Sequence, residues 1–360
     1  MNKSMEILLW MPRSGPPSGG HRVQMIELHK ALVHLGLAAE VSFSESVQDT
    51  HYDVVHGFGL GLRHIRQLRS QRSKPAITLT STYNSFTYRN VPRSFALIDR
   101  YRWKVSRVKR FARFLICSYK AINNESVMHA AIKPLTEMRA EFESVDLIMP
   151  NSVLEMKAIQ HDLSVSSEFH VVRNGINENL FKPAPGVEFP RDIDILMVGR
   201  LEPHKNHIPV IRYANNHKRK LVIVGHPHPD HTDYRDYLVS RSNDYIKVIE
   251  GIDYEQIPPL MHRSKIHVLC SMYETCGLVS LEAIACGCKP VSTAVGYASE
   301  YLSTAAEYVN PLSYSSISKG IDLAFVNQLA PEERRRISEN YTWALAARDA
   351  VDGYSKLVTI

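Results

Sequence analysis

Apolar residues arrive along this chain in short blocks separated by longer stretches of helical spacing. Glu6 to Met11, Glu40 to Phe43, Asp53-Val54-Val55-His56, Pro75 to Thr80 and Asp146 to Asn151 each read as a strand. Between the first two, Met25, Leu28, Leu32 and Leu35 recur at helical spacing, and Gly36 follows as a stop. Strands alternating with helices predict a parallel sheet covered on both faces. The same pattern restarts at Ile193 to Val198 and continues through Lys220 to Val224, Lys247 to Gly251 and Ile266 to Cys270, with a further extended segment opening at Pro290-Val291. Phe181 to Pro190 carries Pro183, Pro185, Gly186 and Pro190 and reads as a linker. After Tyr341-Thr342-Trp343 an amphipathic helix is expected to run to Leu357. The predicted domains are therefore residues 1–178 and 179–340, with 341–360 as a terminal helix.

A chain of 360 residues suits two such domains. Its composition, 44% hydrophobic and 22% charged, is that of an ordinary globular protein. No apolar run approaches ~18 residues, so no transmembrane helix is expected. The opening stretch has one lysine and a five-residue apolar run, too short for a secretory signal. Five cysteines (Cys117, Cys270, Cys276, Cys286, Cys288) include no C-x-x-C pair, which predicts free thiols and a reducing, cytoplasmic setting. Cys286 and Cys288 have no second pair to complete a zinc site. The formal charge of +6 is unevenly spread and points to an anionic partner.

The stretch from Ser271 to Val291 concentrates the candidate chemistry. It follows the apolar run ending at Cys270, places Glu274 in a loop, opens a helix at Gly277 that carries Glu282, and stops at Cys286-Gly287. A strand, a tight loop and a helix N-terminus together aim backbone N–H groups and the positive dipole end at one spot, which suits an anion. With seven residues between them, Glu274 and Glu282 cannot share one helical face, so one carboxylate comes from the loop and one from the helix. Such a pair can grip hydroxyl groups on either side of a bound phosphate; a capping carboxylate and a solvated Glu are the plain alternative. Gly199 ends a strand, Arg200 follows, and Lys205 lies five residues on. A planar fork and a point charge reaching over one point can neutralise a diphosphate, or form no more than a basic turn. Gly19 and Gly20 precede a helix and allow close backbone approach to a ligand, or a flexible loop.

Other candidates read less sharply. Asp192-x-Asp194 mimics a metal-binding pair but precedes a strand, at the end away from the expected site. His226, His228 and His231 share a loop with Pro227 and Pro229, which prevent helical ligand spacing, so a surface loop is expected. His56 ends its strand, either near a ligand or as a structural histidine. Arg100, Arg102, Lys104, Arg107, Lys109, Arg110 and Arg113 form a basic stripe interleaved with Trp103 and Phe111, while Tyr101, Val105, Val108, Ala112 and Leu115 fall on one helical face. That helix suits an anionic membrane surface, nucleic-acid phosphates, or plain solvent.

Taken in order, these motifs resemble the retaining glycosyltransferases of family 4, of the GT-B kind. Glu274, Glu282, Gly287 and Pro290 fall on that family's signature, and Gly199, Arg200 and Lys205 on its Gly-Arg-x-x-x-x-Lys element. His170 to Asn177 matches its short strand and Asn-Gly turn at the domain crossing, with Asn177 where the family commonly has Asp, and Lys247 to Gly251 matches a strand whose end meets the nucleotide base. The resemblance covers most of the chain. It implies an α/β fold of two Rossmann-like domains facing across a cleft, with the C-terminal helix crossing back to the first. It also implies metal-independent, retaining transfer of a sugar from a nucleotide-diphosphate sugar, UDP- or GDP-linked, with no further cofactor. Arg200 and Lys205 would hold the diphosphate and Glu274 the sugar. Gly199, Gly225, Gly251, Thr275, Cys276, Gly277, Leu278, Val279 and Glu282 would line the donor site, with Gly19 and Gly20 opposite the phosphates. The family often carries a histidine at the end of the strand Ile77 to Ser81; this chain has Thr80, Ser81 and Thr82. Relatives acting on lipid-linked acceptors often carry a basic, aromatic face on the first domain, so a glycan or lipid-linked acceptor at the inner membrane face is expected. A nucleic-acid acceptor and a non-catalytic sugar-nucleotide-binding protein are the alternatives.

Overall fold

The computed structural model describes residues 5–12, 20–48, 51–83, 136–182 and 189–358. These fall into two compact units: residues up to 83, 136–175 and 341 onward form the first, and residues 176–340 the second.

In the first unit, β1 (Glu6–Trp10), β2 (Ala38–Ser42), β3 (Val54–Phe58), β4 (Ala76–Thr80) and β5 (Leu147–Met149) form a parallel sheet in the order β2-β1-β3-β4-β5. All of β3 and β5 and nearly all of β1 and β4 are buried, which is why these blocks read as continuous apolar runs rather than alternating ones. Helix α1 (Gly20–His34) buries Met25, Leu28 and Leu32. Leu35, expected in the same stripe, lies past the helix end and is exposed. Gly36 adopts a φ of 86°, a left-handed stop that a side chain would strain. Helices α2 (Leu62–Arg69) and α3 (Val153–Leu163) follow, α3 capped by Ser152, whose hydroxyl accepts from the Glu155 N–H.

The stretch after α3 departs from the expected strand at His170. Phe169 makes one isolated bridge to Ile148, and the His170 and Val172 N–H groups donate to Ile148 and Pro150. With the Ile148 N–H donating to Glu168, these bonds follow the edge of β5, itself only three residues long, without extending into a regular strand.

The second unit begins with a short helix, α4 (Glu178–Phe181), capped by the Asn177 side chain. Phe181, read as the start of a linker, is fully buried in it; the cost of exposing a phenyl ring outweighs the loop tendency of the prolines after it. Six strands follow: β6 (Ile193–Val198), β7 (Leu221–Gly225), β8 (Ile246–Glu250), β9 (Ser264–Leu269), β10 (Lys289–Thr293) and β11 (Glu307–Val309). They form a parallel sheet in the order β11-β10-β9-β6-β7-β8. Its helices are α5 (His207–His217), α6 (Thr232–Val239), α7 (Ile257–His262), α8 (Leu278–Ala285), α9 (Ser299–Leu302), α10 (Tyr314–Val326) and α11 (Pro331–Asn340). The chain winds outward from β6 to β8, then returns to lay β9 on the other side of β6 and winds outward again. This reversal makes a topological switch point between β6 and β9, and the carboxyl ends of strands flanking such a point are where open α/β sheets bind ligands.

The last helix, α12 (Trp343–Tyr354), belongs to the first unit and ends three residues short of the expected Leu357. Thr342 caps it, and Arg173 pairs with its Asp349 at 2.6 Å. A Cβ on Gly175 would lie 2.3 Å from the Trp343 nitrogen, so the Asn-Gly turn needs its glycine for this helix to dock. Among the described residues no helix is long and apolar enough to cross a membrane.

Candidate functional site

Gly199, Gly225 and Gly251 sit at the carboxyl ends of β6, β7 and β8. A Cβ on Gly225 would lie 1.8 Å from the Gly199 carbonyl oxygen, so the first two strand ends pack backbone on backbone. The chain then turns through Arg200 and Glu202, whose Nη2 and Oε1 are 2.9 Å apart, into a single 3-10 turn, Pro203–Lys205. Asn206 ends this turn at a φ of 55°, and its side chain donates to the Cys270 carbonyl at 3.1 Å and the Pro311 carbonyl at 2.8 Å. These bonds tie the Lys205 turn to the end of β9, across the switch point.

Lys205 Nζ lies 3.0 Å from Glu274 Oε2, the two side chains being 18% and 12% exposed. The Ser271 hydroxyl donates to the same oxygen at 3.1 Å, and the Gly277 N–H donates to Oε1 at 3.3 Å. Burial pushes the Glu274 carboxyl upward, but the Lys205 ammonium, the nearby His204 and the Ser271 hydroxyl together hold it below its usual value. The loop is pinned from below: the Glu274 N–H donates to Val295 and the Tyr297 N–H donates to the Glu274 carbonyl. Between these two, Gly296 has a φ of 109°, and a Cβ there would lie 2.0 Å from the Glu274 carbonyl oxygen. Gly296→Ala should therefore displace the Glu274 loop, at a cost of about 2–4 kcal/mol from strain and overlap. A thermal melt indistinguishable from wild type would rule this out.

Gly277, at a φ of 56°, caps the N-terminus of α8. Thr275 and Cys276 form the turn before it, fixed by the Tyr301 hydroxyl donating to the Thr275 carbonyl at 2.8 Å, and Leu278 and Val279 open the first helical turn. The structure thus brings Arg200, Lys205, Glu274 and the α8 N-terminus onto neighbouring loops of one switch point. Glu282 lies on α8 as expected but is 4% exposed and accepts a hydrogen bond from the Tyr254 hydroxyl. Nothing in the sequence flagged Tyr254; a tyrosine three residues after the Gly251 strand end was the available signal.

The remaining candidates separate. Asp192 pairs with Arg263 and Asp194 with Lys265, so both are ordinary ion pairs at the amino end of the sheet. Cys286 and Cys288 donate to the carbonyls of Phe181 and Met261, and burial raises the Cys288 thiol to about 12. His228 and His231, expected as plain loop residues, instead gather with Glu202: one ligand atom from each lies within 4.8 Å of the others. The prolines do prevent helical spacing, but a turn achieves the same convergence.

In the first unit His56 is completely buried. Its two ring nitrogens meet the Tyr354 and Thr80 hydroxyls, each at 2.6 Å, and burial lowers it to about 3. It is an internal strut between β3, β4 and α12, not a ligand-facing group. Thr80 is engaged with it, and Ser81 donates inward to Glu155 at 3.0 Å. Glu155 also accepts from the N–H groups of Tyr83 and Asn151, while Gln24 donates to the Asn151 side chain. Of the three hydroxyls that stand in the place of the expected histidine, Thr80 and Ser81 are therefore engaged inward. Gly20 opens α1; Gly19 and the basic stripe from Arg100 to Arg113 lie outside the described residues.

Comparison with known proteins bears on this site. Residues 181–342 match the family described as Glycosyl transferases group 1, and all but the last two of them belong to the second unit. An uncharacterized glycosyltransferase of Methanocaldococcus jannaschii is 27% identical over 249 residues, 61% of this chain and 62% of that protein. Across six curated relatives the chain spans 43% to 62% of their length. A sucrose-phosphate synthase structure from Thermosynechococcus elongatus superposes with a TM-score of 0.73 at 17% identity, over 98% of this chain and 99% of that one. The Anabaena HepE structure in complex with UDP gives 0.66 at 14% identity, over 98% and 100%. At such identities the likeness is one of fold: two parallel-sheet α/β domains of the GT-B glycosyltransferase kind.

Proposed function

We propose, from a second unit that carries a group 1 glycosyltransferase domain, that this protein transfers a sugar from a nucleotide-diphosphate sugar to a sugar hydroxyl, with retention at the anomeric carbon. The observation that carries this reading is the Lys205–Glu274 pair, 3.0 Å apart at the switch point and bonded to the N-cap of α8. An anomeric C–O bond breaks readily only if the departing diphosphate is neutralised. Arg200, Lys205 and the N–H groups opening α8 would supply that charge from fixed positions. Glu274 would accept hydroxyls of the transferred sugar, exchanging part of its hold on Lys205 for the ligand. Glu282, oriented by Tyr254, would accept from the ribose. UDP is the first base to try, because HepE binds it on the same fold. The acceptor would be a glycan or a lipid-linked sugar, with the basic stripe from Arg100 to Arg113 docking an anionic membrane surface.

A second reading, a protein that binds the donor without turning it over, is favoured by the inward engagement of Thr80 and Ser81. A thermal-shift panel of UDP, GDP, ADP and CMP with their sugars, followed by donor-turnover assays, separates the two. A ligand at about 100 times its Kd should add roughly 2.7 kcal/mol, and Glu282→Ala should remove most of that gain. Stabilisation with turnover supports the transferase. Stabilisation alone, across a broad acceptor screen, supports the binding protein. No stabilisation by any nucleotide would sink both.

A further inference from the structure

We propose that Glu202, His228 and His231 form a binding site for one divalent transition-metal ion of the zinc, nickel or cobalt class. Glu202 comes from the loop after β6, and the two histidines from the loop after β7. These loops are held in register: the Leu201 N–H donates to the His226 carbonyl at 2.9 Å, and Leu201 bridges Pro227 as a one-residue extension of the sheet. The histidines are fixed to each other as well. The His231 N–H donates to the His228 carbonyl at 2.9 Å across the turn Pro229–His231, and the two rings stand 5.0 Å apart, tilted by 43°. The three ligand atoms therefore start from an anchored backbone, within 4.8 Å of one another. In tetrahedral coordination with bonds of about 2.0–2.1 Å, ligand atoms sit about 3.3 Å apart. Side-chain rotation alone can close that difference.

Glu202 provides the second observation. It is 6% exposed, yet its buried Oε1 accepts no hydrogen bond. The Arg200 guanidinium lies 2.9 Å from that oxygen, close enough for an ion pair but outside hydrogen-bonding geometry. A buried carboxylate oxygen so poorly served is one that an ion would serve better. Two imidazoles and one carboxylate favour a borderline cation over Mg²⁺ or Ca²⁺, which prefer oxygen donors throughout. Three protein ligands leave a position for water or for an anionic oxygen of a ligand. Arg200 beside the carboxylate would orient it as an outer partner.

The test uses the full chain stripped with chelator and titrated with ZnCl₂ by calorimetry, with CoCl₂ as a spectroscopic probe. Wild type should bind one equivalent of Zn²⁺ with a Kd in the micromolar range or below, and Co²⁺ should give the intense visible bands of a four-coordinate site. His228→Gln and His231→Gln should each weaken binding at least tenfold, and the double variant should abolish it while its circular dichroism stays that of wild type. Glu202→Gln should weaken Zn²⁺ binding and shift the Co²⁺ bands. Absence of binding at 100 µM Zn²⁺, or unchanged stoichiometry and affinity in the folded double variant, would overturn the proposal. Neither readout involves nucleotide or turnover, so its failure would be distinct from failure of the transferase reading.

Discussion

Lys205→Met is expected to lower kcat/KM for sugar transfer about a hundredfold or more, and to destabilise the second unit. Two effects combine. The substitution removes a fixed cation from the place where the diphosphate would leave, a contact worth about 3 kcal/mol in comparable sites. It also leaves Glu274, a carboxylate 12% exposed, without the ammonium 3.0 Å away. Breaking one partner out of a buried pair typically costs about 3–5 kcal/mol, because the survivor keeps its desolvation penalty. Without Lys205, burial dominates and the Glu274 carboxyl rises, so the acidic limb of the pH–rate profile should move to higher pH. Glu274→Gln separates the parts. Because the two residues act on one another, the double variant should lose less than the product of the single losses. Multiplicative losses, or a Lys205→Met enzyme within threefold of wild type, would detach this pair from the chemistry.

The legible parts of this site and the missed ones differ in one physical respect. Gly199, Arg200, Lys205, Glu274 and Gly277 each lie in a short connection between a strand end and the next helix, so local spacing already fixes which end of the sheet they project from. What the sequence could not show is which strand ends become neighbours. Glu202 meets His228 and His231 only because β7 pairs with β6 in a register that carries Leu201 to Pro227. Tyr254 reaches Glu282 across 28 residues, and Gly296 underlies Glu274 across a bridge between two loops. His56 shows the same limit from the other side. Read from the sequence as a strand end, His56 lies in the middle of β3, which runs on to Phe58, and a tyrosine 298 residues later covers it. The linker reading at Phe181 failed because proline density reports backbone preference, whereas the ring's burial decides where the chain goes.

Acidification from pH 7.5 to 5 is expected to destabilise the second unit more than the first. His207 and His267 are completely buried within it, and burial, reinforced by the Lys205 ammonium, lowers each to about 3; Glu274 pulls His267 the other way without reversing the shift. Neither ring nitrogen of His267 has a hydrogen-bond partner, and His204 is shifted in the same direction, chiefly by burial. An unfolded histidine takes up a proton near pH 6.5, whereas these stay neutral in the fold until about pH 3. The unfolded state thus holds more protons throughout that window, and stability present above pH 6.5 is lost as the pH falls. At pH 5 each of the two costs about 2 kcal/mol, so together about 4, against a total of about 5–15 for a typical protein. Glu274, held low in the fold, adds a further loss below about pH 4.5.

The first unit has a counterweight. His56 at about 3 and His21 at about 4, both lowered by burial, cost a similar sum at pH 5. Glu155 runs the opposite way. Burial raises it to about 7 against the pull of its hydrogen-bond donors, so the fold keeps a proton that the unfolded chain releases above pH 4.5. This gains about 2 kcal/mol for the first unit between pH 7 and pH 5 and offsets about half of the loss from its histidines. Hydrogen exchange read by peptide mass, corrected to protection factors, should show β9 losing protection at pH 5 while β3 keeps more of its own. His267→Leu should restore roughly half of the loss in β9. Equal protection of the two strands at pH 5, or a His267→Leu protein that loses as much as wild type, would show that these buried imidazoles do not set the acid response.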